Sequence, residues 1–504
     1  MTELDTDSEQ LSLPLPDVLP TVDAWSIPQE RRVFVNRGLR LTDVDWIGFD
    51  MDYTLAIYDQ KEMDRLQIEA TLPRLVARGY PALLLELEYD FRFPIRGLMV
   101  DKKLGNVLKL DRYKIVQKAW HGLERLDKER IRETYYATKL RLLPLRYHWV
   151  DTLYALAEVT MYATIVDAME RRGLELDPAR LFTDIREAID EAHRDGTILD
   201  AVAGDLPRYV ARDPELAVAL HKWRSAGKRL FVLTNSRGSY TDKVMTYLLD
   251  GAMPEYPSWR HYFDVVVVAA GKPGFFQERR PMQERDAAGD VRPAVLHAER
   301  GKVFEGGNLL DLERLLETTG DRVLYVGDHI YGDILRSKKE SAWRTAMIIQ
   351  EMVDETRALS ESRAEVARVV ELEQLREQAE EELRYLQARF KDVTRQLDAF
   401  RAGQRGLVPE AVLDAERLRT KRGLERVRGV LRQTEAEVSR IEAALDLRFH
   451  RYWGSLMKEA VELSSFGSQV EEYACVYTSR VSNFALYSPL HYFRSPRDTM
   501  PHEL

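Results

Sequence analysis

The sequence predicts an α/β protein: a parallel sheet with helices on both faces, a large domain inserted into it, and a helical hairpin toward the C-terminus. Three observations carry this. Short, almost wholly apolar runs recur, each ending in a polar loop and in most cases followed by a helix-like segment, which is the pattern of buried parallel strands. The gap between the first two runs is far longer than a crossover connection needs. Late in the chain, apolar residues switch to alternating three- and four-residue steps.

Taken in order, residues 1–31 are proline-rich and polar and read as an irregular arm. The first strand, Trp46-Ile47-Gly48-Phe49, runs into Asp50-Met51-Asp52-Tyr53-Thr54. Residues 59–221 are expected to be the insert. The second strand, Arg229-Leu230-Phe231-Val232-Leu233, stops at Thr234-Asn235-Ser236. A valine-rich third strand over 263–270 ends at Gly271-Lys272-Pro273, and a fourth over 322–326 runs into Gly327-Asp328-His329. Residues 32–58 and 222–355 would thus form the core. Over 356–447, Leu372, Leu375, Ala379, Leu386, Phe390, Val393, Leu397 and Phe400, then Leu424, Val427, Leu431, Val438, Ile441 and Leu445, keep the heptad spacing around a turn at 403–409, predicting an antiparallel hairpin. Such a stripe most simply packs its two helices on each other. Residues 448–504 are rich in aromatics and are expected to fold back on the core or to form a subunit contact.

Composition narrows the class. At 504 residues the chain should hold two or three packed units. With 74 basic against 83 acidic side chains the net charge is −9, which argues against a protein that coats nucleic acid. A single cysteine, Cys475, excludes an internal disulfide and a cysteine-based zinc site, and suits a reducing cytoplasm. The segment 1–10 has no apolar signal region and no stretch is apolar enough to span a bilayer, so no membrane partner and a cytoplasmic location are expected.

The chemistry-bearing residues gather at strand ends, where open α/β sheets bind ligands. A lone Asp-x-Asp is more often a turn or capping device. Here Asp50 and Asp52 are joined, at later strand ends, by Thr234 and Asn235, by Lys272, and by Asp328 and Asp333. Four carboxylates at one sheet edge repel one another unless a cation sits among them, and oxygen ligands in that number suit Mg²⁺. Lys272 can offset the remaining charge of a phosphate while Thr234 donates its hydroxyl. Two aspartates two positions apart can divide nucleophilic attack and proton transfer between them.

At these residues the chain resembles the haloacid dehalogenase (HAD) superfamily, and within it the cytosolic purine 5′-nucleotidases, with preference for IMP and GMP. Residues 32–37, 240–243, 272–276 and 327–335 look like that family's signatures. The resemblance implies a HAD-like sheet with an inserted cap, and Asp50 as the nucleophile forming an aspartyl-phosphate. It implies Asp52 as general acid and then base, and Mg²⁺ held by Asp50, the carbonyl of Asp52, Asp328 and Asp333. Thr234 and Asn235 would grip the phosphoryl oxygens and Lys272 would stabilise their charge. Phosphotransfer to a second nucleoside is implied as a side activity.

The same resemblance makes Leu181 to His193 a base-recognition helix. Arg186 would donate to purine O6 and N7, Asp190 would accept from N1–H, His193 lies one turn on, and Tyr154 would stack on the base. From spacing alone, Arg186 and Asp190 read more readily as an ordinary i,i+4 surface pair, and it is the surrounding match that favours base recognition. Leu199 stands where the family has a lysine. Tyr331, Lys339 and Arg141 match residues of an adenine-nucleotide activating site, but Asp151 replaces a neutral amide there, so weak or altered regulation is expected. The assembly expected is a homodimer or homotetramer. Two other readings stay open: a HAD phosphatase for another small phosphate ester, and a non-catalytic interaction protein on the same fold.

Overall fold

A computed structural model describes residues 27–136, 143–285, 291–293, 302–335, 341–403, 408–496 and 503. Its main sheet has ten strands: β1 (Phe34–Val35), β2 (Trp46–Phe49), β3 (Arg229–Leu233), β4 (Val265–Val268), β5 (Met282–Arg285), β6 (Val291–Pro293), β7 (Val303–Gly306), β8 (Val323–Gly327), β9 (Arg344–Ile348) and β10 (Val476–Thr478). Their spatial order is β1-β10-β9-β8-β2-β3-β4-β7-β5-β6. From β10 through β7 neighbouring strands run parallel, while β1, β5 and β6 are antiparallel additions at the edges.

The central strands are apolar on both faces because both faces are covered. Leu230 and Val232 of β3 enter one core cluster, whereas Phe231 and Leu233 enter a second on the opposite side. In β4 four consecutive valines are all buried, suiting β-branched side chains to a pleated interior. This is the parallel α/β arrangement expected, with β2 at its centre between β8 and β3.

Between β2 and β3 the chain builds two further layers. One is a five-stranded antiparallel sheet of Leu98–Asp101, Asn106–Leu110, Val116–His121, Glu124–Arg125 and Tyr147–Val150. The other is a set of helices including α1 (Gln60–Ala77), α2 (Leu156–Arg171) and α3 (Pro178–Arg194). The carboxylate of Asp59 caps α1 by accepting from Glu62 N–H. Asp177 caps α3, with Pro178 opening it. Along α3, Leu181, Phe182, Ile185, Ala188, Ile189 and Ala192 are buried. Arg186, Asp190 and His193 fall on the stripe beside that face.

Helices α4 (Arg363–Arg401) and α5 (Glu410–Phe449) form the antiparallel hairpin. Val369 and Leu372 pack with Val438 and Ile441 near its base, and Val393 and Leu397 pack with Leu413 near its tip. Leu375, expected in this seam, instead lies 43 % exposed.

One expectation about the ends needs correction. Residues 27–31 are not a loose arm: Ile27 is buried, its carbonyl accepts from Arg32 Nε, and Arg31 pairs with Glu215. Residues 1–26 lie outside the described residues. The C-terminal segment does more than lie on the core, since β10 enters the main sheet between β9 and β1. Among the described residues no helix is long and apolar enough to cross a membrane.

Candidate active site

The carboxyl ends of four central strands converge. Asp50 follows β2, Thr234 follows β3, Lys272 lies just beyond β4, and Asp328 follows β8. The loop after β2 is a tight turn in which the Met51 carbonyl accepts from the N–H groups of Thr54, Leu55 and Ala56. Tyr53 takes a left-handed φ of 56°, and its carbonyl accepts from Gln350 Nε2. This turn sets both aspartates at the sheet edge.

The two carboxylates face different partners. Asp50 Oδ1 lies 2.9 Å from Lys272 Nζ. The same ammonium donates to Asp333 Oδ1 at 2.6 Å and to Tyr325 OH at 3.0 Å. Carboxylate oxygens of Asp50, Asp328 and Asp333 lie within 4.8 Å of one another, an acidic oxygen cluster of the kind a small divalent cation requires. Asp52 stands apart from that cluster. Its carboxylate accepts from Tyr58 OH and from Ser236 Oγ, each at 2.6 Å. Asp52 therefore keeps its side chain in a hydroxyl cradle.

Electrostatics follow from burial. Asp50 is pushed well above the ordinary carboxylate range by desolvation, with Lys272 opposing and Asp333, Asp328 and Asp52 adding to it. Desolvation also raises Asp52, against the hydrogen bonds from Ser236 and Tyr58. Asp328 is pushed up to about 7 by burial, with Arg96 opposing. For Lys272 burial works against the charge, but Asp333 and Asp50 outweigh it and hold the ammonium charged.

Gly327 explains one feature of the motif Gly327 to Asp333. A Cβ there would sit 2.6 Å from Asp333 Cβ and 2.7 Å from its Oδ2, so only glycine lets Asp333 approach the end of β8.

Thr234 is buried, and its Oγ1 accepts from Ser236 N–H, leaving the hydroxyl proton available. Asn235 has a structural role in the Lys272 loop. Its Nδ2 donates to the Lys272 carbonyl and its Oδ1 accepts from Lys272 N–H at 2.6 Å. Both ends of the carboxamide thus fix the lysine backbone.

In the insert, Tyr154 packs edge-on against Tyr53 at 4.8 Å and near His193 at 6.1 Å between centroids. Arg186 Nη1 contacts His148 Nε2 at 2.8 Å. His193 is lowered by burial, against Asp190. Asp190 itself is exposed. The structure thus brings Tyr154 to His193, holds Arg186 two turns earlier on the same helix against His148, and leaves Asp190 exposed between them.

Asp151 takes His329 as partner at 3.2 Å. Burial pushes Asp151 up, but the hydrogen bond and charge of His329 bring it below the ordinary range. Arg141, Lys339 and the side chain of Tyr331 lie outside the described residues.

Several contributors escaped the sequence reading. Ser236 sits inside a flagged motif and Tyr58 lies six positions beyond Asp52, so both give a local signal. Arg96 gives none. Fully buried, it donates from Nη1 to the Asp328 carbonyl at 2.8 Å and forks onto both oxygens of Glu351, partners more than 200 positions away.

Comparison with known proteins identifies the family. A model of the 5′ nucleotidase family matches residues 33–504. A 5′-nucleotidase domain-containing protein of Dictyostelium discoideum is 29 % identical over 495 residues, covering 96 % of this chain and 76 % of the relative. The human 5′-nucleotidase domain-containing protein 2 is 33 % identical over 360 residues, covering 69 % of this chain and 68 % of the relative. Among solved structures, CbbY from Rhodobacter sphaeroides, crystallised in complex with phosphate, aligns at 17 % identity and a TM-score of 0.23 over 60 % of this chain and 86 % of that chain. The family match spans the turn after β2, the Lys272 loop and the Asp328–Asp333 end of β8 together, and places the chain in the 5′-nucleotidase family as a phosphoric monoester hydrolase.

Proposed function

We propose that the protein hydrolyses the 5′-monophosphates of 6-oxopurine nucleosides, IMP and GMP, in an Mg²⁺-dependent reaction through an aspartyl-phosphate on Asp50. The observation that carries this reading is the division of labour between the two aspartates. Asp50 faces the ammonium and the acidic cluster, while Asp52 is held by two hydroxyls outside it.

Asp50 attacks phosphorus, the bond from phosphorus to the 5′-oxygen breaks, and protonated Asp52 gives its proton to that oxygen. Burial, by raising Asp52, favours the protonated form this step needs. Water then attacks the phosphorylated Asp50, and Asp52 takes the water's proton as phosphate leaves. Lys272, kept charged by Asp50 and Asp333, offsets charge on the phosphoryl group, and the Thr234 hydroxyl donates to it. The residues that would hold Mg²⁺ are Asp50, Asp328 and Asp333 with the carbonyl of Asp52; the bound ion would polarise the phosphoryl oxygens and neutralise the carboxylates. A nucleoside hydroxyl entering in place of water would give phosphotransfer.

The test is phosphate release from IMP, GMP, AMP and sugar phosphates with Mg²⁺ and with a chelator. IMP and GMP are expected to lead and the chelator to abolish turnover. Equal rates on all esters would favour a general phosphatase. Asp50→Asn is expected to lower kcat at least about a thousand-fold, as loss of a covalent nucleophile does, and residual activity near wild type would exclude the aspartyl-phosphate.

A further inference from the structure

Glu158 lies in the first turn of α2, one turn beyond Tyr154. Its side chain is 12 % exposed, and its Oε2 is buried without a hydrogen-bond partner among the described residues. Arg186 Nη1 stands 3.8 Å away, outside hydrogen-bond reach. Burial pushes this carboxyl up to about 7, with Arg186 opposing and Asp190 and Asp151 adding to the rise. A buried acceptor with no hydrogen bond is costly unless something that binds there satisfies it.

The surroundings say what would. His148, pushed down to about 4 by burial and by Arg186, is neutral, so its ring nitrogen can accept from the guanidinium and fix Arg186 in place. A positioned donor from α3 and an acceptor from α2 without a hydrogen bond therefore stand side by side, while Tyr154, one turn before Glu158 in the chain, packs near His193 of α3. A 6-oxopurine offers the matching order along its edge, an acceptor at O6 beside a donor at N1, and a 6-aminopurine offers the reverse. Asp190, given the acceptor role by the motif resemblance, is exposed and pays little desolvation that a base could relieve.

We infer that Glu158 is a specificity-determining residue of this enzyme, its Oε2 accepting from purine N1–H while Arg186 donates to O6. The inference rests on the purine reading of the site given above. A 6-aminopurine placed there would set its N6 donors against Arg186 and its bare N1 against the carboxylate, so both contacts would be repulsive.

The test compares kcat/KM for IMP with that for ribose 5-phosphate, which lacks the base, in wild type, Glu158→Leu and Glu158→Gln. The Leu variant is expected to lower the ratio about ten-fold or more, and Gln, which keeps an acceptor oxygen, is expected to lower it less. Equal losses in both would mean that only the charge beside Arg186 matters, and would overturn the hydrogen-bond assignment. Because each figure is a ratio within one preparation, partial unfolding cancels. On wild type alone, 1-methyl-IMP, whose N1 has no proton, is expected to react at least about ten-fold less efficiently than IMP. A ratio unmoved by Glu158→Leu would overturn the role of Glu158 and leave the nucleotidase reading standing. Wild type that uses IMP no better than ribose 5-phosphate would overturn the purine reading itself, and this inference with it.

Discussion

A hydrogen atom in place of a methyl group decides whether the acidic cluster forms. At Gly327 a Cβ would overlap Asp333, whose own position is fixed by Lys272 and Tyr325. Gly327→Ala is therefore expected to push Asp333 away from Asp50 and Asp328 and to lower kcat about a hundred-fold, the scale of a misplacement near 1 Å. Its circular dichroism should stay close to wild type, and unchanged kinetics would show that the motif's glycine serves something else. Asp64 on α1 makes a different kind of prediction. It is fully buried, Gln60 Nε2 donates to its Oδ1, its Oδ2 has no partner among the described residues, and burial pushes it up to about 8. In the unfolded chain this carboxyl loses its proton near about pH 4. Between those values the unfolded state has released a proton that the folded state keeps, so the group's contribution to stability falls as pH rises through that window. Asp64→Asn removes the titration and keeps an acceptor for Gln60. The difference in Tm, variant minus wild type, is expected to grow from about pH 5 to about pH 8, and a constant difference would mean that Asp64 stays ionised in the fold. At this scale the sequence was legible wherever function is written in consecutive residues: Asp50, Asp52, Thr234, Lys272, Asp328 and Asp333 all reach one edge. The structural role of Asn235 was not legible because its carboxamide fixes the Lys272 backbone, 37 positions further on. Glu158 was missed because its significance is a lack of partners, which spacing cannot express.

Elements divide by how far apart their partners lie in the chain. The strands β2, β3, β4 and β8 announce themselves as apolar runs because they are buried on both faces, whatever their neighbours. β10 has three residues, and its partners in β9 and β1 lie about 130 and 440 positions earlier, so nothing near it marks it as a strand. The hairpin was legible from its period, and its departure is equally physical: Leu375 belongs to the heptad by count but falls outside the seam that Leu372, Ala379, Val438 and Ile441 define. Helices of 39 and 40 residues reach about 60 Å at the usual rise, so much of the hairpin is held only by its own seam. Leu397, fully buried near the tip, is expected to cost about 2–5 kcal/mol when cut to alanine. That loss should be local. Hydrogen exchange should speed up in peptides covering the tip and stay at wild-type rates in β2 and β8. Faster exchange throughout would show that the hairpin and the sheet unfold as one unit.

Across the whole molecule, side chains far apart in sequence stitch the insert to the rest. Lys109 from the insert sheet donates to the carbonyls of Trp453, Ser455 and Lys458 and pairs with Glu459, while Lys118 pairs with Glu459 and Asp446. On the opposite side Arg96 reaches the end of β8 and Glu351. These ties enclose three basic groups in the interior and satisfy each with several acceptors, which is the condition under which a buried charge is tolerated. The insert should therefore not unfold on its own. Arg96 is the tie closest to the chemistry, since its guanidinium holds the Asp328 carbonyl and lowers the cost of the Asp328 carboxylate. Replacing it by methionine leaves the carbonyl unmatched and removes that opposing charge, while Glu351, at 30 % side-chain exposure, can rehydrate. The expected loss is about 3 kcal/mol, the low end for breaking a buried pair. Calorimetry is expected to show a single transition in wild type and two in Arg96→Met, the insert melting first. Arg96→Lys keeps the charge but not the fork onto Glu351, so its insert transition should fall between the two. A single transition in Arg96→Met, merely lowered, would mean that Lys109 and Lys118 suffice to bind insert and core into one cooperative unit.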